Sequence, residues 1–290
     1  MGAVAVVTDS TQYLPAEVLE RHGIAVVSLY VTMEGSTRKE SELTDLDAFY
    51  DRLRSATALP STSQPSVGDF LSVYEPLLDA GRDVVSIHLS GGISGTVGSA
   101  EQAREQLVER GTDPARVVVV DSTTAAAGHG LMAVAAANAA EAGAGAAGAA
   151  ERARELRAQL RILFAVDTLE YLRRGGRIGG AQAWIGSTLK IKPILTIESE
   201  IVAVERVRTA GRAFERLVHH LQSLHGEGAD RFFIQHVQAP DTAQRLAGRG
   251  AELFGHGPDV VTELGPVFGA HVGPGIVGVT ALRSDVLGPV

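Results

Sequence analysis

Cysteine is absent from the 290-residue sequence. This absence excludes a disulfide framework, a thiolate nucleophile and any metal or iron–sulfur site with cysteine ligands. A chain of this length buries roughly 70–75% of its unfolded surface, so it needs no covalent or metal staple. The length fits one large domain or two domains of medium size.

Aromatic residues are scarce, at 5% of the chain, although 45% of all residues are hydrophobic. Positive charge is in deficit too, because 26 Lys and Arg face 34 Asp and Glu, which gives a net charge of −8. Such a net anion is not attracted to nucleic acid or to an anionic membrane surface. The composition therefore predicts an aliphatic core and no nucleic-acid partner.

A long hydrophobic run is missing as well. The apolar segment at residues 3–7 has no Lys or Arg before it and ends at Thr8, so it lacks the form of a signal peptide. No lipid-like stretch approaches the 18 or more residues that a membrane span requires. We therefore expect a cytoplasmic, soluble protein with no stable membrane insertion.

Short aliphatic segments alternate with amphipathic ones in the first half of the chain. Such alternation predicts an α/β domain with a mostly parallel sheet and helices on both faces. Thr44 is the predicted cap of one helix and Ser66 the cap of the next. The predicted strands are residues 3–7, 24–31, 84–89 and 117–120, and a further helix is predicted over 95–109.

Residues 142–150 contain only Ala and Gly. We interpret them as a helix end and a flexible connection, because each Gly weakens a helix by about 1 kcal/mol relative to Ala. A helix is expected to resume at residue 151. The predicted domains are accordingly residues 1–155, with the ligand-binding loops, and residues 156–290.

The second half predicts another α/β domain, with a mixed sheet. Two of its segments, 193–198 and 201–206, are close enough in sequence to form a hairpin. The other predicted strands are residues 162–166, 232–236, 260–264 and 276–281, and the predicted helices are residues 168–174, 213–224 and 241–254.

Several familiar nucleotide-binding, catalytic and zinc-binding motifs are incomplete or absent in this sequence. Residues 273–278 match G-x-G-x-x-G, but β-prone residues follow and no acidic residue stands about 20 positions later. No P-loop is present. Ser94 stands in a Gly-rich turn, yet Thr96 replaces the second Gly of a nucleophile elbow. His219, His220 and His225 lack the i, i+4 spacing of a zinc pair, and a solvated helix face explains them.

Three polar clusters remain, at residues 61–66, 90–96 and 265–275. Each combines hydroxyl or histidine side chains with Gly or Pro near a predicted strand or helix end. Ligands of open α/β sheets bind beyond the carboxyl ends of the strands, and helix N-termini suit anions. The clusters predict a carboxylate or phosphate ligand, with ordinary turn and cap chemistry as the alternative.

Short segments along nearly the whole chain match, in order, the motifs of one known family. They are Thr8-Asp9-Ser10, Thr62-Ser63-Gln64-Pro65-Ser66, Ile93-Ser94-Gly95-Thr96 with Ser99-Ala100, Val120-Asp121-Ser122, residues 169–179, Lys192-Pro193-Ile194-Leu195, and residues 269–275. Taken together, these segments resemble the DegV family. One departure is Gly91, where the family often has a serine.

The resemblance implies a two-domain fatty-acid-binding protein that encloses a long-chain fatty acid, such as palmitate, and holds its carboxylate between the domains. It further implies a FakB-type carrier in phospholipid metabolism, which presents the carboxylate to a separate, ATP-dependent FakA-type kinase. Such a carrier is not itself an enzyme and has no metal or cofactor.

The resemblance also implies roles for individual residues. Thr62, Ser94 and His271 should bind the carboxylate, Ser63 and Gly95 should support the loop, and Arg177 should face the kinase. Candidate segments around the acyl tail are residues 162–166, 184–189 and 194–197. Two alternatives stay open: a lipid or ester hydrolase that uses Ser94 and His271, and a carrier of another amphipathic anion.

Overall fold

The computed structural model describes residues 3–184 and 191–290. In chain order the strands are β1 (Val4–Asp9), β2 (Ala25–Val27), β3 (Tyr30–Met33), β4 (Ser36–Lys39), β5 (Ser61–Ser63), β6 (Asp83–His88), β7 (Val117–Asp121), β8 (Leu163–Ala165), β9 (Lys192–Glu198), β10 (Glu200–Val207), β11 (Arg231–His236), β12 (Val260–Glu263) and β13 (Val277–Leu282).

The helices are α1 (Ala16–Arg21), α2 (Leu46–Ser55), α3 (Val67–Asp79), α4 (Thr96–Glu109), α5 (Ala127–Glu141), α6 (Ala146–Gln159), α7 (Glu170–Arg174), α8 (Ala210–Gly226), α9 (Pro240–Phe254), α10 (Pro266–Val272) and α11 (Ser284–Leu287). Among the described residues, none of these helices is both long and apolar enough to cross a membrane.

The chain divides into two compact units. The first comprises Met1–Tyr30, Ser63–Gln159 and Asp285–Val290, and the second comprises Val31–Thr62 and Leu160–Ser284. This division differs from the single boundary after residue 155 that the sequence suggested. The difference arises because residues 31–62 bond to distant parts of the second unit: the Tyr50 hydroxyl donates to the Leu264 carbonyl at 2.6 Å.

The first unit contains a four-stranded sheet with the order β2-β1-β6-β7, and all neighbouring strands are parallel. Every residue of β1 is buried, as expected for a strand that is covered on both faces. Helices α3 and α4 share a core with this sheet, and α5 and α6 also contact it. The predicted parallel α/β architecture is confirmed.

The second unit contains the predicted mixed sheet, with six strands in the order β10-β9-β8-β13-β11-β12. Only β11 and β12 are parallel neighbours, and β9 and β10 form the expected hairpin. Helices α8 and α9 pack on this sheet around Phe214, Leu217 and Phe232. A small sheet with the order β4-β3-β5 precedes these elements in the chain.

Three local predictions were wrong in detail, and one helix was not predicted. The predicted strand over residues 24–31 is two separate strands, β2 and β3. Helix α2 is capped by Asp45, whose Oδ1 accepts from the Ala48 amide at 3.0 Å, and not by Thr44. The Ala/Gly stretch already enters α6 at Ala146, because Ala149 and other small residues of this helix are fully buried. The third polar cluster contains a helix, α10.

Candidate functional site

In the second unit, the structure brings together Thr62 and His271, which are two of the predicted carboxylate-binding residues. Thr62 lies in the middle of β5, and His271 lies in the last turn of α10. Thr62 Oγ1 and His271 Nε2 are 2.7 Å apart, although 209 residues separate them in the chain. Both side chains are half-buried, so they form a polar pair at the rim of the unit's interior.

The imidazole of His271 is neutral at physiological pH. Burial, together with the smaller effect of the positive charge of Arg177, lowers the pKa of His271 to about 4. Within the described residues, the buried Nδ1 atom has no hydrogen-bond partner. Because a buried N–H without an acceptor is costlier than an unused lone pair, the single proton belongs on Nε2, facing Thr62.

Gly175 explains the position of the His271 ring. It follows α7, and a Cβ at this position would lie only 2.5 Å from His271 Nδ1. Any side chain here would displace the ring, so only Gly permits this close approach. Arg177 is half-buried, and its Nη1 donates to the Gly175 carbonyl at 2.7 Å. Sequence reasoning did not assign a role to Gly175, although the Gly-Gly pair before Arg177 marks it.

Helix α10 is fixed by residues from the 31–62 segment. The Tyr50 hydroxyl donates to the carbonyls of Leu264 and Gly265, at 2.6 and 3.1 Å. Glu40 Oε1 accepts from the Val267 amide at 2.9 Å, in the first turn of α10. Gly269 packs against the Tyr50 ring, where a Cβ would lie 2.5 Å from Cε1. These contacts hold the helix that carries His271.

Ser94 belongs to the first unit, where it lies just before Gly95, the N-cap of α4. Its hydroxyl is 2.9 Å from the hydroxyl of the buried Thr96 and accepts from the Thr96 amide at 3.3 Å. A Cβ on Gly95 would lie 2.6 Å from Gln64 Nε2, so a larger residue there would displace the end of the Gln64 side chain. Ser63, the last residue of β5, is exposed. The supporting roles of Ser63 and Gly95 stay predictions.

Gly91, the departure from the family pattern, packs closely against Asp121. Its amide donates to Asp121 Oδ1 at 3.1 Å, and a Cβ would lie 2.8 Å from Oδ2. A serine at position 91 would therefore displace this carboxylate. Gly91 therefore leaves room for the Asp121 carboxylate.

The segments predicted around an acyl tail have mixed environments. Leu163 of β8 and Ile194 of β9 are packed in the core of the second unit, which leaves them little free surface. Trp184 is half-buried, and the Arg206 guanidinium lies 5.4 Å from the centre of its ring. Residues 185–189 of the remaining predicted segment lie outside the described residues.

A cleft of about 380 Å³ lies in the second unit between β3, β4 and α2. Val31, Met33 and Phe49 contribute apolar surface, and Arg38 and Arg52 contribute positive charge. Thr62, His271 and Arg177 do not line this cleft. It is therefore separate from the polar pair that the sequence predicted.

The chain matches a known protein family. Residues 3–284 match the model of a family described as "Uncharacterised protein, DegV family". A DegV domain-containing protein of Streptomyces coelicolor is 40% identical over 279 residues, which cover 95% of this chain and 97% of that protein.

Two solved structures resemble the whole chain. A DegV family protein from Thermus thermophilus, described as binding fatty acid, is 36% identical with a TM-score of 0.87, over 98% of this chain and all of that one. DegV of Bacillus subtilis, described as a fatty acid binding protein, is 33% identical with a TM-score of 0.86 over the same shares. The match over nearly every residue, in sequence and in fold, shows that this chain belongs to the DegV family.

Proposed function

We propose that this protein binds a long-chain fatty acid and that Thr62, His271 and Ser94 bind its carboxylate. The observation that carries the proposal is the 2.7 Å contact between Thr62 and a neutral, half-buried His271. Fatty acid binding by the related proteins of T. thermophilus and B. subtilis supports it.

The protonation of the pair explains how a carboxylate is bound. If His271 Nε2–H donates to Thr62 Oγ1, the hydroxyl proton of Thr62 is free to point at an acceptor. A carboxylate is such an acceptor, and a hydrogen bond to a charged oxygen is about twice as strong as a neutral one. Because the chain has a net charge of −8, local donors of this kind must outweigh the overall repulsion of an anion.

The acyl tail supplies most of the affinity in this proposal. Each CH₂ group that leaves water contributes about 0.8 kcal/mol, so a long chain binds through its apolar area while the head group sets its direction. A short-chain carboxylate should accordingly bind far more weakly than palmitate. Chain length, rather than charge, is the main determinant of affinity.

We further propose that the loaded protein presents the carboxylate to a separate FakA-type kinase, which transfers a phosphoryl group from ATP to it. Arg177 is the residue proposed to face the kinase. Because Arg177 also bonds to the Gly175 carbonyl, its replacement by Ala must be studied at equal lipid occupancy. Under that condition we expect slower phosphorylation, and an unchanged rate would remove the role of Arg177.

The test of fatty acid binding is direct. Purified protein is extracted with organic solvent and the extract is analysed by mass spectrometry, and delipidated protein is titrated with palmitate. We expect about one fatty acid per chain in the extract or saturable binding of palmitate. The absence of both would refute the proposal.

The same protein distinguishes the two alternatives. A serine hydrolase would be labelled at Ser94 by a fluorophosphonate probe. We expect no labelling, because the neighbouring Thr96 hydroxyl cannot act as a general base for Ser94. Competition against a fluorescent fatty acid tests other amphipathic anions. Stronger competition by an isoprenoid phosphate than by palmitate would favour that ligand class.

A further inference from the structure

A carboxylate without any solvent contact lies at the end of β1 in the first unit. Asp9 is fully buried, and its Oδ1 accepts from the amide and the hydroxyl of Thr11, at 3.0 and 2.5 Å. Its Oδ2 accepts from the Leu89 amide at 3.0 Å and from His88 Nδ1 at 3.1 Å. His129 Nε2 lies 3.3 Å from Oδ1. None of the functions considered above uses this group.

Asp9 is ionised in this environment. Burial by itself raises the pKa of Asp9, but the neighbouring His129 and His88 outweigh that effect and hold the pKa well below its usual value. A buried carboxylate with this many hydrogen-bond donors is stable in its ionised form, in which it can only accept hydrogen bonds.

A chain of buried hydrogen bonds ends at the ionised carboxylate. Because Asp9 can only accept, His88 donates to it from Nδ1. Ser86 Oγ lies 2.6 Å from His88 Nε2, and Ser86 in turn accepts from the Tyr74 hydroxyl at 2.7 Å. Tyr74, Ser86 and His88 are all fully buried. Buried hydrogen bonds therefore connect Asp9 through His88 and Ser86 to Tyr74.

Asp9 lies next to the backbone segment that leads to Ser94. Strand β6 lies between β1 and β7, and the three parallel strands end at the same edge with Asp9, His88 and Asp121. Asp9 accepts from the Leu89 amide, and Asp121 accepts from the Gly91 amide at 3.1 Å. Two carboxylates on flanking strands thus fix the backbone at the start of the Ser90–Thr96 turn.

We propose that Asp9 is a positioning residue of the fatty acid site: through Leu89 and His88 it fixes the turn that orients the Ser94 hydroxyl. This inference rests on the proposed carboxylate-binding role of Ser94. Asp9 does not touch the ligand in this proposal, and it acts only through the backbone that follows β6.

The experiment compares Asp9→Asn with Asp83→Asn. The amide of Asn has the shape of the carboxylate but turns one acceptor into a donor, so an N–H of Leu89, Thr11 or His88 faces another donor. Asp83 lies at the opposite end of β6, where it pairs with Arg116 at 2.9 Å. The control therefore perturbs the same strand away from the Ser94 turn.

Two readouts are expected to change only in Asp9→Asn. Hydrogen–deuterium exchange of residues 89–96 in the ligand-free protein should become faster than in the wild type. The preference for palmitate over the matched fatty alcohol should fall about tenfold, which is the effect of one lost hydrogen bond to a charged group. A defect that is merely structural would weaken acid and alcohol alike.

The outcomes separate this proposal from the proposed function. If the wild-type protein does not prefer palmitate over the alcohol, carboxylate recognition itself fails. If the wild type has this preference and Asp9→Asn retains both the preference and slow exchange, the positioning role is refuted. Should Asp9→Asn fail to fold, the His88 tautomer of the wild type is measured by nitrogen NMR. A ring without a proton on Nδ1 would overturn the contact between His88 and Asp9, and an Nδ1–H would support it.

Discussion

At the scale of single residues, His271 of the Thr62–His271 pair contributes to the acid sensitivity of the protein. The pKa of His271 is about 4 in the folded protein and about 6.5 when the side chain is exposed to water. Between these values the unfolded chain binds a proton that the folded chain does not. The free energy of unfolding therefore falls as the pH drops from about 6.5 to about 4, and this group has no effect above that range.

This difference predicts the behaviour of His271→Gln. Wild-type protein should lose up to about 3 kcal/mol more stability than the variant between neutral pH and pH 4. The single tryptophan, Trp184, lies in the second unit with His271, so its fluorescence can follow denaturation of that unit. Equal acid sensitivity of the two proteins would show that His271 is not held neutral.

The Thr62 hydroxyl gives a second prediction. Thr62→Val keeps the shape of the side chain but leaves His271 Nε2–H without an acceptor and removes the donor proposed for the carboxylate. Palmitate affinity should fall about tenfold or more, because each unsatisfied buried group costs about 1–3 kcal/mol. Thr62→Ser is the matched control, since it keeps the hydroxyl. Calorimetry that finds equal affinities for the Val and Ser variants would contradict the assigned donor.

At the scale of elements, α7 ends beside α10. The absence of a side chain at Gly175 lets the His271 ring of α10 pack closely against the end of α7. Gly175→Ala would place a Cβ 2.5 Å from His271 Nδ1 and push the ring away from Thr62. We expect weaker palmitate binding, with intact secondary structure by circular dichroism.

Gly180→Ala is the matched control for Gly175→Ala. Its Cβ would meet the Ile201 carbonyl at 3.8 Å, an ordinary van der Waals distance. This variant should bind palmitate like the wild type. Equal affinity of the Gly175→Ala and Gly180→Ala variants would show that the close approach at Gly175 does not control the His271 ring.

The elements also show what the sequence could predict. Buried strands such as β6 and the β9–β10 hairpin follow from local hydrophobic patterns and were placed within a few residues. Helix α6 begins earlier than expected because burial of Ala149 outweighs the helix cost of Gly148. Tertiary packing determines where α6 begins, and the local sequence pattern contains no information about that packing.

The candidate site, too, was predictable from the sequence only in part. Family resemblance selected Thr62 and His271 as carboxylate-binding residues, and the structure places them in contact. The Asp9–His88 contact was not predicted, since it depends on β1 and β6 being neighbours although 79 residues separate the two side chains. Gly175 was missed for a similar reason: its role is defined by the ring that it leaves room for.

At the scale of the whole molecule, the division of the chain predicts how fragments behave. A fragment of residues 156–290 lacks Tyr50 and Glu40, which bond to the backbone around α10 in the intact protein. We expect poorly dispersed amide resonances for this fragment, in contrast to the full chain. A fragment that unfolds cooperatively with the stability of the full chain would show that residues 31–62 are dispensable.

The placement of residues 31–62 has a consequence for synthesis. Tyr50 leaves the ribosome long before Leu264, its partner 214 residues later in the chain. At roughly 5–20 residues per second, the delay is on the order of 10–40 seconds. The first unit also needs a late residue, because Asn138 bonds to the carbonyl of Leu287, 149 residues later in the chain. The nascent chain therefore cannot complete the first unit before residues 285–290 are made, and Tyr50 lacks its Leu264 partner until that residue has been synthesised.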